Sequence, residues 1–321
     1  MSDKSLANKK VLVLGGSGFL GAHLVKELAT HKAAVTVLCR NPNDIKKIPA
    51  FHDTHLVQGD ITVPENVAEH VSGKDIIVNL ATVVYNTGVF EPYTDLNVNC
   101  KGQINVLEAR KNFNPDAQYI YIGSSMQFGR VPEHDLPIAE DYCQHPISLY
   151  GTHKAAAESY GTIYRRAHSL PSVVVRLPPL YGPSLTGKET RSIIEKFIKK
   201  ALRKEPFNVN GFGKDLKDFL YADDVVDVIV RVMRSSVRDG AYHAGSGTGI
   251  QFSDVARMIV EECASGRFNL VPFPKELEPF EVGSFYFDIT KAQRELGWEP
   301  KIDIREGIQR MVAFHRKEMH M

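Results

Sequence analysis

The sequence predicts an α/β fold, a Rossmann-like parallel sheet with helices on both faces plus a smaller C-terminal lobe, and three observations carry that expectation. The apolar run Val11-Leu12-Val13-Leu14 passes directly into Gly15-Gly16-Ser17-Gly18-Phe19-Leu20-Gly21, after which Leu20, Leu24 and Leu28 recur at helical spacing. That order reads as a strand, a glycine turn and a helix start. Apolar, β-rich runs then alternate with helical patterns through the first half of the chain. Strands without polar alternation belong to a sheet buried on both faces, because right-handed crossovers place helices on both sides. After about Tyr181 the alternation loosens into segments containing glycine and proline between helices.

In chain order, residues 11–14 form the first strand, and residues 35–39, 55–58, 75–80, 118–122 and 172–177 are the later ones. Helices are expected near residues 64–71, 95–111 and 149–169, the crossovers of a parallel sheet. Further helices are expected at 192–203, 223–233, 253–262 and 304–314. Residues 1–180 therefore read as a dinucleotide-binding domain that includes the catalytic candidates. Residues 181–321 read mainly as a substrate-binding lobe, with segments returning to the first domain. No internal repeat, low-complexity tract or linker interrupts the pattern.

Composition excludes several classes of function. A chain of 321 residues has ample core to fold without staples, and a net charge of +1 gives no footprint for nucleic acid. No apolar run is long enough to span a bilayer, so no membrane partner is expected. Residues 1–10 are polar and lack the apolar centre and cleavage site of a signal peptide, which makes the cytoplasm the default location. The four cysteines, Cys39, Cys100, Cys143 and Cys263, include no C-x-x-C pair and read as reduced, mostly structural thiols. The twelve histidines show no metal spacing, and His52, His55, His315 and His320 read as solvated surface imidazoles.

The glycine turn has a chemical reading of its own. Free backbone N–H groups and the positive end of a helix hold a pyrophosphate, and glycines let the backbone approach it closely, so a dinucleotide is the expected ligand. Further along stands Tyr150-Gly151-Thr152-His153-Lys154. A phenol that titrates near ~10 is a poor base at neutral pH, but a nearby ammonium favours the phenolate by about 1.4 kcal/mol per pKa unit. The i, i+4 spacing places Tyr150 and Lys154 on one helix face, where the pair can serve proton transfer. The bland alternative is an ordinary amphipathic pair.

Taken together, Gly15-x2-Gly18-x2-Gly21, Gly59-Asp60-Ile61, Asn79-Leu80-Ala81, Asn97-Val98-Asn99, Ser124-Ser125-Met126-Gln127-Phe128-Gly129, Tyr150-x3-Lys154, Arg176-Leu177-Pro178-Pro179-Leu180-Tyr181-Gly182-Pro183, Lys217-Asp218-Phe219 and Leu296-Gly297-Trp298-x-Pro300 resemble the extended short-chain dehydrogenase/reductase family. The nucleotide-sugar epimerases, dehydratases and ketoreductases are the nearest group. The resemblance covers nearly the whole chain. It implies Ser124, Tyr150 and Lys154 as catalytic residues, with Ser124 at a strand end against the reacting oxygen and Lys154 also on the nicotinamide ribose; Ser125 is the alternative to Ser124 if the register slips by one. It further implies that Gly15, Ser17, Gly18, Phe19, Leu20, Gly21, Arg40, Asp60, Ile61, Leu80, Ala81, Thr82, Asn99 and Pro178 join Tyr150 and Lys154 around an NAD or NADP cofactor, Asp60 and Ile61 on the adenine side. A homodimer through the helices at 95–111 and 149–169 is implied as well.

Departures from the family pattern narrow the reaction. Ser125 and Met126 stand where 4,6-dehydratases carry Asp and Glu, and Met126 cannot move a proton. Redox at one ring carbon by hydride transfer, as in an epimerase or 4-ketoreductase, is therefore favoured over dehydration. A non-catalytic redox sensor is a further alternative that the intact Ser124, Tyr150 and Lys154 argue against. The second strand ends in Cys39-Arg40-Asn41, without the carboxylate that holds a ribose 2′-OH, which slightly favours NADP over NAD; Arg40 stacked on adenine is the other reading.

Substrate contacts are expected at Ser125, Met126, Pro179, Lys188, Arg191 and Lys217. Pro179 stands where many relatives carry Asn, Lys217 where they carry Arg, and Glu278 falls where another diphosphate-binding Arg often lies. Lysine lacks the bidentate fork of arginine, so Lys188 or Arg191 is the alternative anchor, and a substrate without a nucleotide stays open. The stretch from Gly182 to Lys188 satisfies G-x4-G-K, but Glu189 follows where a P-loop needs a hydroxyl for Mg²⁺.

Overall fold

The protein, studied as a computed structural model, is described over residues 4–83 and 91–319. Seven strands build the main sheet: β1 (Lys10–Leu14), β2 (Ala34–Cys39), β3 (His55–Gln58), β4 (Ile76–Asn79), β5 (Gln118–Ser124), β6 (Val173–Leu177) and β7 (Gly240–His243). All neighbours run parallel, in the order β7-β6-β5-β4-β1-β2-β3. The order reverses between β1 and β4, and in an open parallel sheet the crevice at that reversal is where ligands bind.

The helices are α1 (Phe19–Thr30), α2 (Pro64–Val71), α3 (Gly102–Phe113), α4 (Leu149–His168), α5 (Ile193–Leu202), α6 (Ala222–Arg234), α7 (Phe252–Cys263), α8 (Thr290–Leu296) and α9 (Ile304–Glu318). Alternate residues of each strand face opposite cores. Val11 and Val13 pack with Leu24 and Leu28 of α1 and Val225 and Ile229 of α6, whereas Leu12 and Leu14 pack with Val67 of α2, Leu107 of α3 and Ala157 of α4. Burial on both faces is why the strands read as unbroken apolar runs. A separate core around Tyr181, Ile194, Phe197, Ile259 and Met311 holds the C-terminal lobe.

Three sequence expectations need correction. The helix expected over 95–111 is not continuous: a turn at Pro92–Asp95 leads into a π-helical turn at Leu96–Lys101 before α3 begins. Such turns shift the side chains that follow and are frequent at functional sites. The second concerns β7, which no strand signal had marked; its four residues pair with β6 from within the later half of the chain. The third is His315, which is only 1% exposed and lies against Glu195 and Glu318, so it is a buried partner of carboxylates rather than a solvated imidazole. His52 and His55 are exposed; His320 lies outside the described residues.

The Leu296-Gly297-Trp298 segment has a packing role. Trp298 is fully buried and its Nε1 donates to the Asp224 carbonyl, while the Asp224 carboxylate accepts the backbone N–H groups of Lys301 and Ile302. No described helix is long and apolar enough to cross a membrane.

Candidate active site

The turn after β1 is shaped by what it must avoid. Gly15 has φ +76°, and a Cβ there would lie 2.7 Å from the Ala81 backbone nitrogen; a Cβ on Gly21 would lie 2.5 Å from the Gly15 carbonyl oxygen. Only glycine lets the turn lie against the end of β4 and the helix lie against the turn. Gly16, which the spacing argument left out, is equally constrained, since its Cβ would meet both γ-methyls of Val37 at 2.9 Å. Helix α1 follows Gly18, which offers no side-chain cap, so its first N–H groups are open to an anion. This cradle fits the pyrophosphate of a dinucleotide.

On the far side of the turn, Asn79 Oδ1 accepts from the Ala81 N–H while its amide donates to Gln103 and Tyr119. That fixes the bend through Leu80 and Ala81, directly over Gly15. Asp60 turns back on itself, accepting from the backbone and hydroxyl of Thr62, and Ile61 is buried against Gly102. Arg40 is exposed just past β2. Nearby, Asp44 pairs with Asn41 and with Lys188, and both charges reach the Cys39 thiol at the strand end. Burial is the main reason that thiol titrates high.

The catalytic candidates converge at the C-terminal end of β5. Ser148 caps α4 by accepting from the Gly151 N–H. Gly151 lets the helix come close, because a Cβ there would fall 2.2 Å from the Met126 carbonyl oxygen. One residue before it, Tyr150 is thereby brought to the hydroxyls of Ser124 and Thr82, which both contact its phenol. Ser124 is oriented by a reciprocal cap: its hydroxyl accepts from the Met126 N–H, and its own N–H donates to Gln127 Oε1 at 2.7 Å. Gln127 in turn donates to Glu158, which is held by Arg176.

Electrostatics depart from the simple lysine–tyrosine argument. Burial pushes the Tyr150 phenol above its ordinary range, opposed by the Ser124 hydroxyl and reinforced by the charge of Asp95. Burial also pushes Lys154 down to about 7, against the pull of Glu158 and Asp95. Its ammonium donates to the Ile122 carbonyl at 2.5 Å and sits 4.3 Å from the centre of the Tyr121 ring, so its charge is spent there.

The expected substrate residues are only partly brought together. Ser125 is buried and Met126 half-buried beside Ser124, and Pro179 is exposed just past β6, next to Pro178 of the expected cofactor set, which is buried. Lys217 donates to Glu281 at 2.6 Å and to the Gly283 carbonyl at 2.7 Å. Arg130, which sequence reasoning missed, donates to the carbonyls of Glu278 and Glu281 and so fixes that loop. Lys188 is not with them: its ion pair to Asp44 places it at the β2 end, the cofactor side. Arg191 is exposed ahead of α5. No helix follows Lys188 directly, since α5 begins at Ile193, which removes the P-loop reading. A groove of about 710 Å³ between α1 and α6 holds none of these residues, and its Asp223, Asp227, Arg231 and Arg310 pair with one another.

Asp95, His153 and Glu158 were also invisible as site residues. Asp95 lies on the turn preceding the π-helical segment, and only that turn reveals that it faces inward.

Known proteins share this fold. The model of the NAD dependent epimerase/dehydratase family matches residues 11–245. A putative UDP-glucose 4-epimerase of Methanocaldococcus jannaschii is 28% identical over 309 residues, covering 94% of this chain and 97% of that protein. Among solved structures, the UDP-glucose 4-epimerase of Thermotoga maritima with UDP-glucose superposes with a TM-score of 0.85 at 25% identity, over 97% of this chain and 99% of the other. MoeE5 in complex with UDP-glucuronic acid and NAD superposes with a TM-score of 0.83 at 25% identity, over 96% and 99%.

Proposed function

Because the chain belongs to the NAD-dependent epimerase/dehydratase family of extended short-chain dehydrogenases/reductases, we propose that it interconverts alcohol and ketone at one ring carbon, C4, of a nucleotide-activated sugar. It does so as an epimerase or a 4-ketoreductase, with Tyr150 as acid and base. The observation that carries the reading is the Ser124–Tyr150 contact at the end of β5, in a turn whose other residues, Ser125, Met126 and Gln127, offer no carboxylate. A dehydratase must remove a proton from one carbon and protonate a leaving hydroxyl on the next, which needs two ionisable groups beyond the tyrosine. Relatives that act on or bind UDP-glucose and UDP-glucuronic acid support a nucleotide sugar as substrate.

When bound, the nicotinamide supplies the carbon that takes up and returns a hydride. The chain's own residues do the rest. The Gly15–Gly21 turn and the open start of α1 hold the pyrophosphate, Ser124 orients the sugar oxygen, and Tyr150 takes or gives its proton. Residues 1–180 form the cofactor part and 181–321 mainly the substrate lobe. Lys217 serves the substrate's diphosphate only by exchanging its bond to Glu281. Arg40 supports NADP, whereas the NAD bound to the similar MoeE5 supports NAD.

Incubation with UDP-sugars, with NAD and with NADPH, followed by mass spectrometry tests the reading. An epimerised product keeps its mass, a reduced one gains two hydrogens, and Tyr150→Phe lowers either yield by about two to four orders of magnitude. A product lighter by one water overturns it, as does full turnover by the Phe variant.

A further inference from the structure

We propose that Asp95 and His153 are positioning residues that set the orientation of the Asn99 amide and the Thr82 hydroxyl beneath Tyr150. The inference rests on Tyr150 being the acid and base. Asp95 is 6% exposed, and His153 Nδ1 lies 3.0 Å from Asp95 Oδ1, off the axis of a hydrogen bond. A carboxylate so deeply buried requires partners, and its second is the Asn99 amide, which donates to the same oxygen at 2.5 Å. Asn99 also donates to the Val83 carbonyl at 3.1 Å.

Both amide hydrogens are thereby committed, and only Asn99 Oδ1 remains for Thr82, whose hydroxyl donates to it at 2.8 Å. A hydroxyl has one hydrogen. With that hydrogen spent on Asn99, Thr82 turns its lone pairs toward the Tyr150 phenol, which it contacts together with Ser124. Flipping the amide would set Asn99 Oδ1 against the Asp95 carboxylate, oxygen facing oxygen, so Asp95 forbids the flip. His153 holds Asp95 in place from α4, one residue before Lys154. The arrangement therefore defines where the phenol proton points before substrate arrives. The negative charge of Asp95 is also felt by Lys154, Tyr150 and Cys100, which places it inside the electrostatics of the site.

The test compares Asp95→Ala, Asp95→Asn, His153→Ala and the Asp95→Ala/His153→Ala double variant, with Tyr150→Phe as reference. UDP-glucose is the first probe, replaced by whichever UDP-sugar turns over in the mass screen, and NAD affinity is read by fluorescence titration. Misplacing a reacting group costs rate rather than binding, so Asp95→Ala lowers kcat by about ten- to a hundredfold with KM and NAD affinity held within about threefold. Asp95→Asn, which keeps an acceptor oxygen where both Asn99 and His153 meet Asp95 Oδ1, recovers most of that loss. His153→Ala costs less, and its loss does not add in the double variant, since both act through one amide. An unchanged kcat, a loss confined to NAD affinity, an Asn variant no better than Ala, or additive losses each overturn the proposal. Should Asp95→Ala fail to fold, His153→Ala combined with Thr82→Ala carries the same non-additivity test. Turnover retained by Tyr150→Phe, by contrast, overturns the catalytic reading itself and not the pairing.

Discussion

Lys154 keeps a charge where water does not reach. It is 3% exposed, bonded to the Ile122 carbonyl and stacked over Tyr121, and burial is the largest cause of its descent to about 7. An unfolded lysine holds its proton to about 10.4, so between about 7 and about 10.4 the unfolded chain binds more protons and stability rises with pH. Below about 7 the folded protein bears the full cost of the buried ammonium. Replacing Lys154 with Met removes that cost. Thermal melts should show Lys154→Met gaining most over the wild type near about pH 6, with the gain shrinking toward about pH 10, while activity is lost. A gain that is flat or grows with pH would contradict the burial argument. The Tyr150-x3-Lys154 spacing was legible in sequence because both residues lie on one helix. That the ammonium is turned toward Tyr121, and that Asp95 stands near the phenol, depends on β5 and on the π-helical turn, which no local pattern encodes.

Helix α4 brings Tyr150 to Ser124 by approaching the 124–127 turn more closely than any side chain at Gly151 would permit. A Cβ at that position meets the Met126 carbonyl oxygen at 2.2 Å and Pro146 at 3.1 Å. Gly151→Ala therefore pushes the start of α4 away and draws Tyr150 from Ser124 without deleting any functional group. Overpacking of this kind costs about 1–3 kcal/mol of stability. The rate should fall by about a hundredfold, as expected when reacting groups are misplaced by an ångström. Melting temperature and kcat of the purified variant check both, and an active variant with an unshifted melt would mean that the helix start has room to spare. At this scale much was legible: β1 to β6 and α4 lie where apolar runs and helical spacing put them. The strand β7 was not, because four residues ending in a histidine carry too little pattern; it is defined by pairing with β6, a contact about sixty-seven residues away in sequence, as Arg176 faces His243. The break before α3 was not either, since Asp95 to Lys111 has unbroken helical character and only the inward turn of Asn99 distinguishes it.

At the scale of the whole molecule, large apolar side chains stand exposed along one pair of helices and the turns leading into it. Helices α3 and α4 lie side by side, joined by the contact of Tyr164 with Glu108 and by Lys111 over the Tyr164 ring. Along these helices and the turns leading into α3, Tyr93 is 78% exposed, Phe113 56%, Ile163 57% and Leu96 43%. Scattered apolar residues are ordinary on a surface, but two on the helices through which the family resemblance implies dimerisation, and two more on the turns leading into α3, point to a shared interface. A two-fold axis between copies would set each pair of helices against its twin, burying the same residues on both sides. We propose that the chain is a homodimer through this face. The switch point between β1 and β4, which fixes the cofactor crevice, lies in the sheet itself, so the cofactor cradle does not depend on the partner. Light scattering after size exclusion should give twice the chain mass for the wild type. Ile163→Asp places a charge on the exposed side of α4 and should shift the protein to monomer, with NAD binding retained. Ile193→Asp, an exposed isoleucine in the C-terminal lobe, should leave the dimer intact. A wild type that runs as a monomer, or a dimer that survives Ile163→Asp, would place the interface elsewhere.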